Sequence, residues 1–237
     1  MKNALFLLLA LSILSSCGNF NKDEIKGNGN VITKKGDSGS FDAINVTDGL
    51  DVYVTMGEKE NIEIQADDNL MEYIKAEVKS GILKIYIDGN ANLNMDNVKI
   101  DVIAVELSQI NASADSDVIV ENTIKSELFS CDVSSAAEVE LSIETGNLSA
   151  NASSAGEIDI KGKADEASLN ASSTGEIDGD DLKVMNCDAG VSSGGEVNIY
   201  VSGDLSASAS SSGEVNVKGN PTLKKMNTSS GGKINKD

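Results

Sequence analysis

The 237-residue chain contains no histidine and no tryptophan, and its 19 basic residues are all lysine, so arginine is missing as well. Without imidazole there is no Ser-His or Cys-His nucleophile pair, no imidazole general base and no histidine-ligated zinc or iron. Aromatic residues make up 3% of the chain, and Tyr53, Tyr73, Tyr86 and Tyr200 are too scattered to form an aromatic platform for sugars. Positive charge is scarce: 38 acidic groups outweigh the lysines and leave a formal charge of -19. That balance opposes binding to nucleic acid, which requires cations against phosphate. One proline, 22 glycines and an ordinary 24% of charged residues exclude both a collagen-like and a wholly disordered chain.

Long apolar runs are also lacking, except at the start. Met1, Lys2 and Asn3 precede the apolar run Ala4 to Leu11, and Leu14-Ser15-Ser16-Cys17 follows. One positive charge, a short apolar stretch and small residues before a cleavage point describe a secretory signal, too short to span a bilayer. The Leu-Ser-Ser-Cys ending resembles the bacterial lipobox. By that resemblance residues 1–16 are a lipoprotein signal peptide and Cys17 is the lipidated mature N-terminus. The polar, glycine-dotted residues 17–40 are expected to be a flexible tether. Lys22-Asp23-Glu24 resembles the signals that send some Gram-negative lipoproteins to the cell surface. The expected location is therefore the outer membrane, on its surface or its periplasmic side, with the membrane a partner through the anchor.

What the chain has in abundance is repetition. Ser134-Ser135-Ala136-Ala137-Glu138 recurs as Ser153-Ser154-Ala155-Gly156-Glu157, Ser172-Ser173-Thr174-Gly175-Glu176, Ser192-Ser193-Gly194-Gly195-Glu196 and Ser210-Ser211-Ser212-Gly213-Glu214, with a sixth copy at Ser229 to Lys233. The marked position steps by 19, 19, 20, 18 and 19 residues. Such units cannot bury an apolar face alone and must stack on one another.

Within each unit apolar residues alternate with polar ones, as in Glu157-Ile158-Asp159-Ile160, which is strand periodicity. Alignment of the units gives three columns expected to face inward. They are Phe129, Leu148, Ala167, Cys187 and Leu205; then Cys131, Ala150, Leu169, Ala189 and Ala207; then Val133, Ala152, Ala171, Val191 and Ala209. The spacing of 2, with Ser, Gly, Asn and Thr between, fits no helix. The fold class is all-β, a parallel β-helix or solenoid with coils of about 19 residues over 106–237; an antiparallel sandwich of short strands is the other arrangement. Residues 41–105 alternate without the tidy repeat and read as wider, less regular first coils that cap the stack. One helical turn, capped by Asp67 or Asp68, is expected near 68–74.

Gly27-Asn28-Gly29-Asn30-Val31, Phe41-Asp42-Ala43-Ile44-Asn45-Val46, Asp48-Gly49-Leu50-Asp51-Val52, Asp67-Asp68-Asn69-Leu70 and Gly81-Ile82-Leu83-Lys84-Ile85, together with the Ser-Ser-x-Gly-Glu copies, resemble the auto-transporter adhesin head GIN domain, a family of exported proteins of unknown function. The resemblance covers residues 28–237. It implies a right-handed β-helical fold and supplies no catalytic residues.

The candidate site is the outward column Glu138, Glu157, Glu176, Glu196 and Glu214, flanked by Glu140, Asp159, Asp178, Asn198 and Asn216. Stacking places its members one strand spacing, ~4.8 Å, apart. Such crowding is met by water, lysine, protonation or a divalent cation; calcium suits oxygen ligands, although the Gly-Gly-x-Gly-x-Asp nonapeptide of calcium-loaded β-rolls is missing. No catalytic residue and no other cofactor are expected. Carboxylate pairs can cleave glycosidic bonds, but a repeated surface lacks the unique residues a catalytic centre needs. The serine pairs are expected to be corner residues whose hydroxyls bond the backbone. Cys131 and Cys187 lie three coils apart, about 14 Å, beyond the ~7 Å reach of a disulfide. Three functions remain: a lipid-anchored β-solenoid for adhesion or glycan and matrix-protein contact, a carboxylate-dependent polysaccharide-active enzyme, and a passive envelope scaffold.

Overall fold

The computed structural model describes residues 24–36 and 39–236. The expected signal peptide and Cys17 lie outside the described residues. Among the described residues no helix is long and apolar enough to cross a membrane.

Chain order is β1 (Val31–Lys35), β2 (Ala43–Val46), β3 (Val52–Met56), β4 (Asn61–Asp67), β5 (Ile74–Lys79), β6 (Ile82–Ile87), a 3-10 turn (Asp88–Asn90), β7 (Lys99–Ala104), β8 (Gln109–Ser113), β9 (Asp117–Ser134), β10 (Glu138–Ser153), β11 (Glu157–Ser172), β12 (Glu176–Ser192), β13 (Glu196–Val201), β14 (Asp204–Ala209), β15 (Glu214–Gly219), β16 (Thr222–Thr228) and β17 (Lys233–Lys236). From β8 onward every ladder is parallel and joins equivalent positions of successive coils, as in Glu138↔Glu157, Glu157↔Glu176, Glu176↔Glu196 and Glu196↔Glu214. The fold is a β-solenoid, and the antiparallel sandwich is excluded for the repeat.

All three predicted inward columns are buried; Leu169 and Ala150 are fully enclosed, and Ala171 is 2% exposed. Alternation explains why: in a strand, residues i and i+2 share a face, so the parallel register carries each apolar residue onto its counterpart. Cys131 stacks on Ala150 and Cys187 on Ala167 and Leu205, as the alignment places them, and both thiols are free and buried. Burial, with a smaller contribution from Asp188, pushes the Cys187 thiol up to about 12 and makes it inert.

What brings the coils into contact is the corner. Ser154 and Ala155, Ser173 and Thr174, Ser193 and Gly194, and Ser211 and Ser212 are all left-handed, with φ between 49° and 73°. Each pair is closed by a main-chain bond across it, such as Gly175 N–H to the Ser172 carbonyl at 2.9 Å, and two consecutive positive φ values define a type I′ turn. Small polar residues meet this demand at least cost. The corners also bond to one another, Ala155 N–H to the Ser173 carbonyl and Thr174 N–H to the Ser193 carbonyl, both at 3.1 Å. The serines are thus corner residues as expected, but the corner ladder is carried by main-chain groups rather than by their hydroxyls.

The glycine after each pair has a different cause. A Cβ on Gly175 would sit 2.5 Å from the Ala152 carbonyl of the coil beneath, and one on Gly195 2.5 Å from that of Ala171. Only hydrogen fits that approach. Ala137 stands at the same place in an earlier coil.

The N-terminal part departs from a simple succession of coils. β2 lies between β6 and β8, and β3 between β7 and β9, all in parallel register. The chain therefore lays down one coil with β2 and β3, passes below it through β4 to β7, and returns above it at β8. Antiparallel pairs close the lower end: β5 with β6, β4 with β7 and β1 with β4. Residues 41–105 are therefore not simply wider first coils: antiparallel strands are inserted within the coil order.

The flexible tether does not extend through 24–36: Ile25 N–H donates to the Asn92 carbonyl at 2.7 Å, and Val31–Lys35 pairs with β4. The helical turn near 68–74 is a run of hydrogen-bonded turns, with Met71 N–H reaching the Asp67 carbonyl at 3.1 Å. Asp68 does not cap it; its carboxylate is taken by the Asn28 and Asn30 amides at 2.5 and 2.7 Å. Asp67 does not cap it either, since its Oδ2 accepts from Asn97 at 3.2 Å.

The close approach of the glycine to the coil beneath is testable. Gly175→Ala should lower stability by about 1–3 kcal/mol and the melting midpoint by several degrees, because the added methyl must push two coils apart. An unchanged midpoint in calorimetry would show that the coils are not in contact at this corner.

Candidate functional site: the stacked acidic face

The parallel register delivers the acidic column as expected. Asp117, Glu138, Glu157, Glu176, Glu196 and Glu214 are consecutive partners. Asp51 immediately precedes Val52, the partner of Val118, and so extends the column one coil further. Lys233 closes it at the other end, 3.7 Å from Glu214. Asp51 is hidden in the sequence because the inserted cap puts 66 residues between it and Asp117, and Asp117 because it stands 21 residues before Glu138 without the Ser-Ser pair of the later copies. The available signal was local: Asp48-Gly49-Leu50-Asp51-Val52 and Ala114-Asp115-Ser116-Asp117-Val118 both place an acid and a valine after a left-handed pair. Ser116, buried, holds the two corners together by accepting from Gly49 N–H at 3.1 Å and Leu50 N–H at 3.3 Å.

The flanking column changes chemistry along the axis. Glu140, Asp159 and Asp178 are adjacent acids, followed by Asn198, Asn216 and Asn235. The asparagines form an amide ladder, Asn216 donating to Asn198 at 2.9 Å and Asn235 to Asn216 at 2.8 Å. Asn216 also donates to Glu196 at 3.0 Å and so satisfies the acid of the neighbouring column. Where the acids replace amides, repulsion has no such remedy. Carboxylate oxygens of Glu138, Glu140 and Asp159 lie within 4.8 Å of one another. Three oxygens are at most half of the 6–8 that calcium takes, so water or ligand oxygens would have to complete a calcium shell here.

The electrostatic cost is visible in the acids themselves. Burial first, then the neighbouring carboxylate, raises Asp117 next to Asp51, Glu138 next to Glu157, Asp159 next to Asp178 and Glu176 next to Glu196. Asp51 is raised likewise, by burial and Asp115. Two carboxyls move the other way, the exposed Asp68 through its bonds to Asn30 and Asn28 and the half-buried Glu77 through Lys79.

A second face carries Asp132, Asn151 and Asn170 in register, Asn151 donating a hydrogen bond to Asp132 at 2.7 Å and Asn170 one to Asn151 at 3.1 Å. Beside it an open groove of about 480 Å³ is lined by Asn147, Glu166, Asn186, Asp188, Asp204 and Lys224. It offers donors and acceptors but no aromatic surface.

The parallel coils with their repeated corner define the class of parallel β-solenoids. The family described as "Putative auto-transporter adhesin, head GIN domain" matches residues 40–221, and the chain belongs to that family. Similar solved structures include a putative adhesin from Bacteroides fragilis, 22% identical, covering 90% of this chain and 100% of its own, with a TM-score of 0.85. A putative lipid binding protein from Parabacteroides distasonis is 26% identical over 91% of this chain and 100% of its own, at a TM-score of 0.72. A putative adhesin from Parabacteroides merdae is 23% identical over 91% and 100%, at 0.70. A comparison with curated proteins finds no match.

The raised acids give a pH dependence of definite sign. A carboxyl whose folded value lies above its unfolded one binds protons more tightly when folded, so its stabilising contribution is present at low pH and is lost as pH rises through that window. The melting midpoint should therefore rise by a few degrees as pH falls from neutral toward the ordinary carboxylate range, about pH 4.5. Salt at ~0.5 M should raise it at neutral pH by screening the column. A midpoint that falls steadily on acidification would show that the column is not a repulsive element.

Proposed function

We propose that the protein is a lipid-anchored component of the outer membrane that uses its solenoid sides for adhesion, contacting glycans or matrix proteins through many repeated polar groups. The observation that carries this reading is the stacking of outward Glu, Asp, Asn and Ser positions on their counterparts in consecutive coils. A polymer with its own repeat meets such a surface at several equivalent points, and weak contacts multiply through effective concentration. Membership of an adhesin-like family agrees with this, as does the Leu14-Ser15-Ser16-Cys17 sequence for the anchor.

The polysaccharide-active enzyme is the weaker reading, because Glu138, Glu140 and Asp159 sit among equivalents rather than in a unique cleft. The test is a glycan and matrix-protein array probed with the soluble chain, with and without calcium, alongside release of reducing sugar and mass spectrometry of the mature N-terminus. Binding without sugar release and a lipid on Cys17 are expected. Sugar release abolished by Glu138→Gln would replace adhesion with catalysis, and an unmodified N-terminus elsewhere would remove the anchor.

A further inference from the structure

The two ends of the solenoid are not equivalent with respect to the point where the chain enters it. Along one side the strands stack in the order β1, β4, β7, β3, β9, β10, β11, β12, β13, β15, β17. Ten strand spacings separate β1 from β17, about 48 Å. The entering chain is fastened at the β1 end: Ile25 bridges to Leu93, and Asn28 and Asn30 donate to Asp68. Eight residues link Cys17 to Ile25, a span of at most about 28 Å when fully extended.

Strand β1 is exposed at every residue. Val31 and Ile32 are 41% and 39% exposed although adjacent strand residues point to opposite faces. β1 therefore stands clear of the body on both faces. Its apolar pair is followed by Lys34 and Lys35, with Lys26 exposed nearby. Apolar side chains beside lysines suit the boundary between headgroups and acyl chains. The solenoid sides, by contrast, carry the acidic column from Asp51 to Glu214, which an anionic bilayer repels.

We infer that β1 and the cap behind it rest on the phospholipid surface, and that the solenoid stands away from the bilayer with its C-terminal coil outermost. This rests on the lipid-anchor reading for its tether. The standing orientation leaves both polar sides free for partners and carries the last coil roughly 50 Å from the headgroups.

Lysine acylation read by mass spectrometry tests the orientation. The native lipoprotein is placed in phosphatidylethanolamine and phosphatidylglycerol vesicles and compared with the chain from residue 18 in solution. A third sample, with a polyhistidine tag in place of residues 1–17, is held on vesicles by nickel-chelating lipid. On vesicles, labelling of Lys34 and Lys35 should fall about fivefold, while that of Lys225 and Lys236 stays unchanged. Val31→Glu with Ile32→Glu should restore Lys34 labelling without lowering the melting midpoint. Protection of Lys125, Lys161 and Lys183 along the sides, or equal labelling at both ends, would overturn the inference. So would protection of Lys34 in solution together with a dimer in sedimentation, which would assign β1 to a second copy. Protection in the tagged sample with no lipid on Cys17 in the native protein would retain the orientation and discard only the anchor.

Discussion

Everything in this molecule depends on the chain turning the same tight corner in every coil. A pair of left-handed residues reverses direction, and a glycine then lets the next coil sit against the carbonyl beneath it. If the corner were looser, the flanking strands would fall out of register, and a slip of one residue would exchange the inward and outward sets. The thin core cannot absorb such a slip. Its repeat columns are largely Ala, Val and Leu, so each coil gains little from burial alone and depends on its neighbours.

The same register that builds the core also dictates the surface. Identical positions superpose, so a chain that repeats Glu at one place builds a row of like charges, and one that repeats Asn builds an amide ladder. Both occur here, and the transition from Asp178 to Asn198 marks where repulsion gives way to hydrogen bonding. The acidic row is thus an electrostatic cost carried by the fold, which is the reason to connect it with contact to something outside the chain.

The columns, the corners and the isolation of the two thiols could be read from the sequence because a parallel ladder at constant period turns sequence alignment directly into spatial alignment. The cap could not. Ile62-Glu63-Ile64 and Ile82-Leu83-Lys84-Ile85 alternate in the same way whichever direction their neighbours run, so β4 and β6 carry no mark of antiparallel pairing. Nor does a short polar segment such as Gly27 to Asn30 announce that it will be held by Asp68 and Asn69 some forty residues away. The acidic column was legible where the repeat was regular and lost at Asp117, where the step is 21 residues and the Ser-Ser pair is missing, and at Asp51, where the inserted cap separates coils that are adjacent in space.

The stacking register is tested most directly by the two cysteines of the repeat. Cys131 and Cys187 occupy neighbouring inward columns three coils apart. Thiol titration of the air-oxidised protein should find neither reactive while folded and both reactive once denatured. A Cys131 to Cys187 disulfide, which requires Cα atoms within about 7 Å, would contradict the register and with it the solenoid.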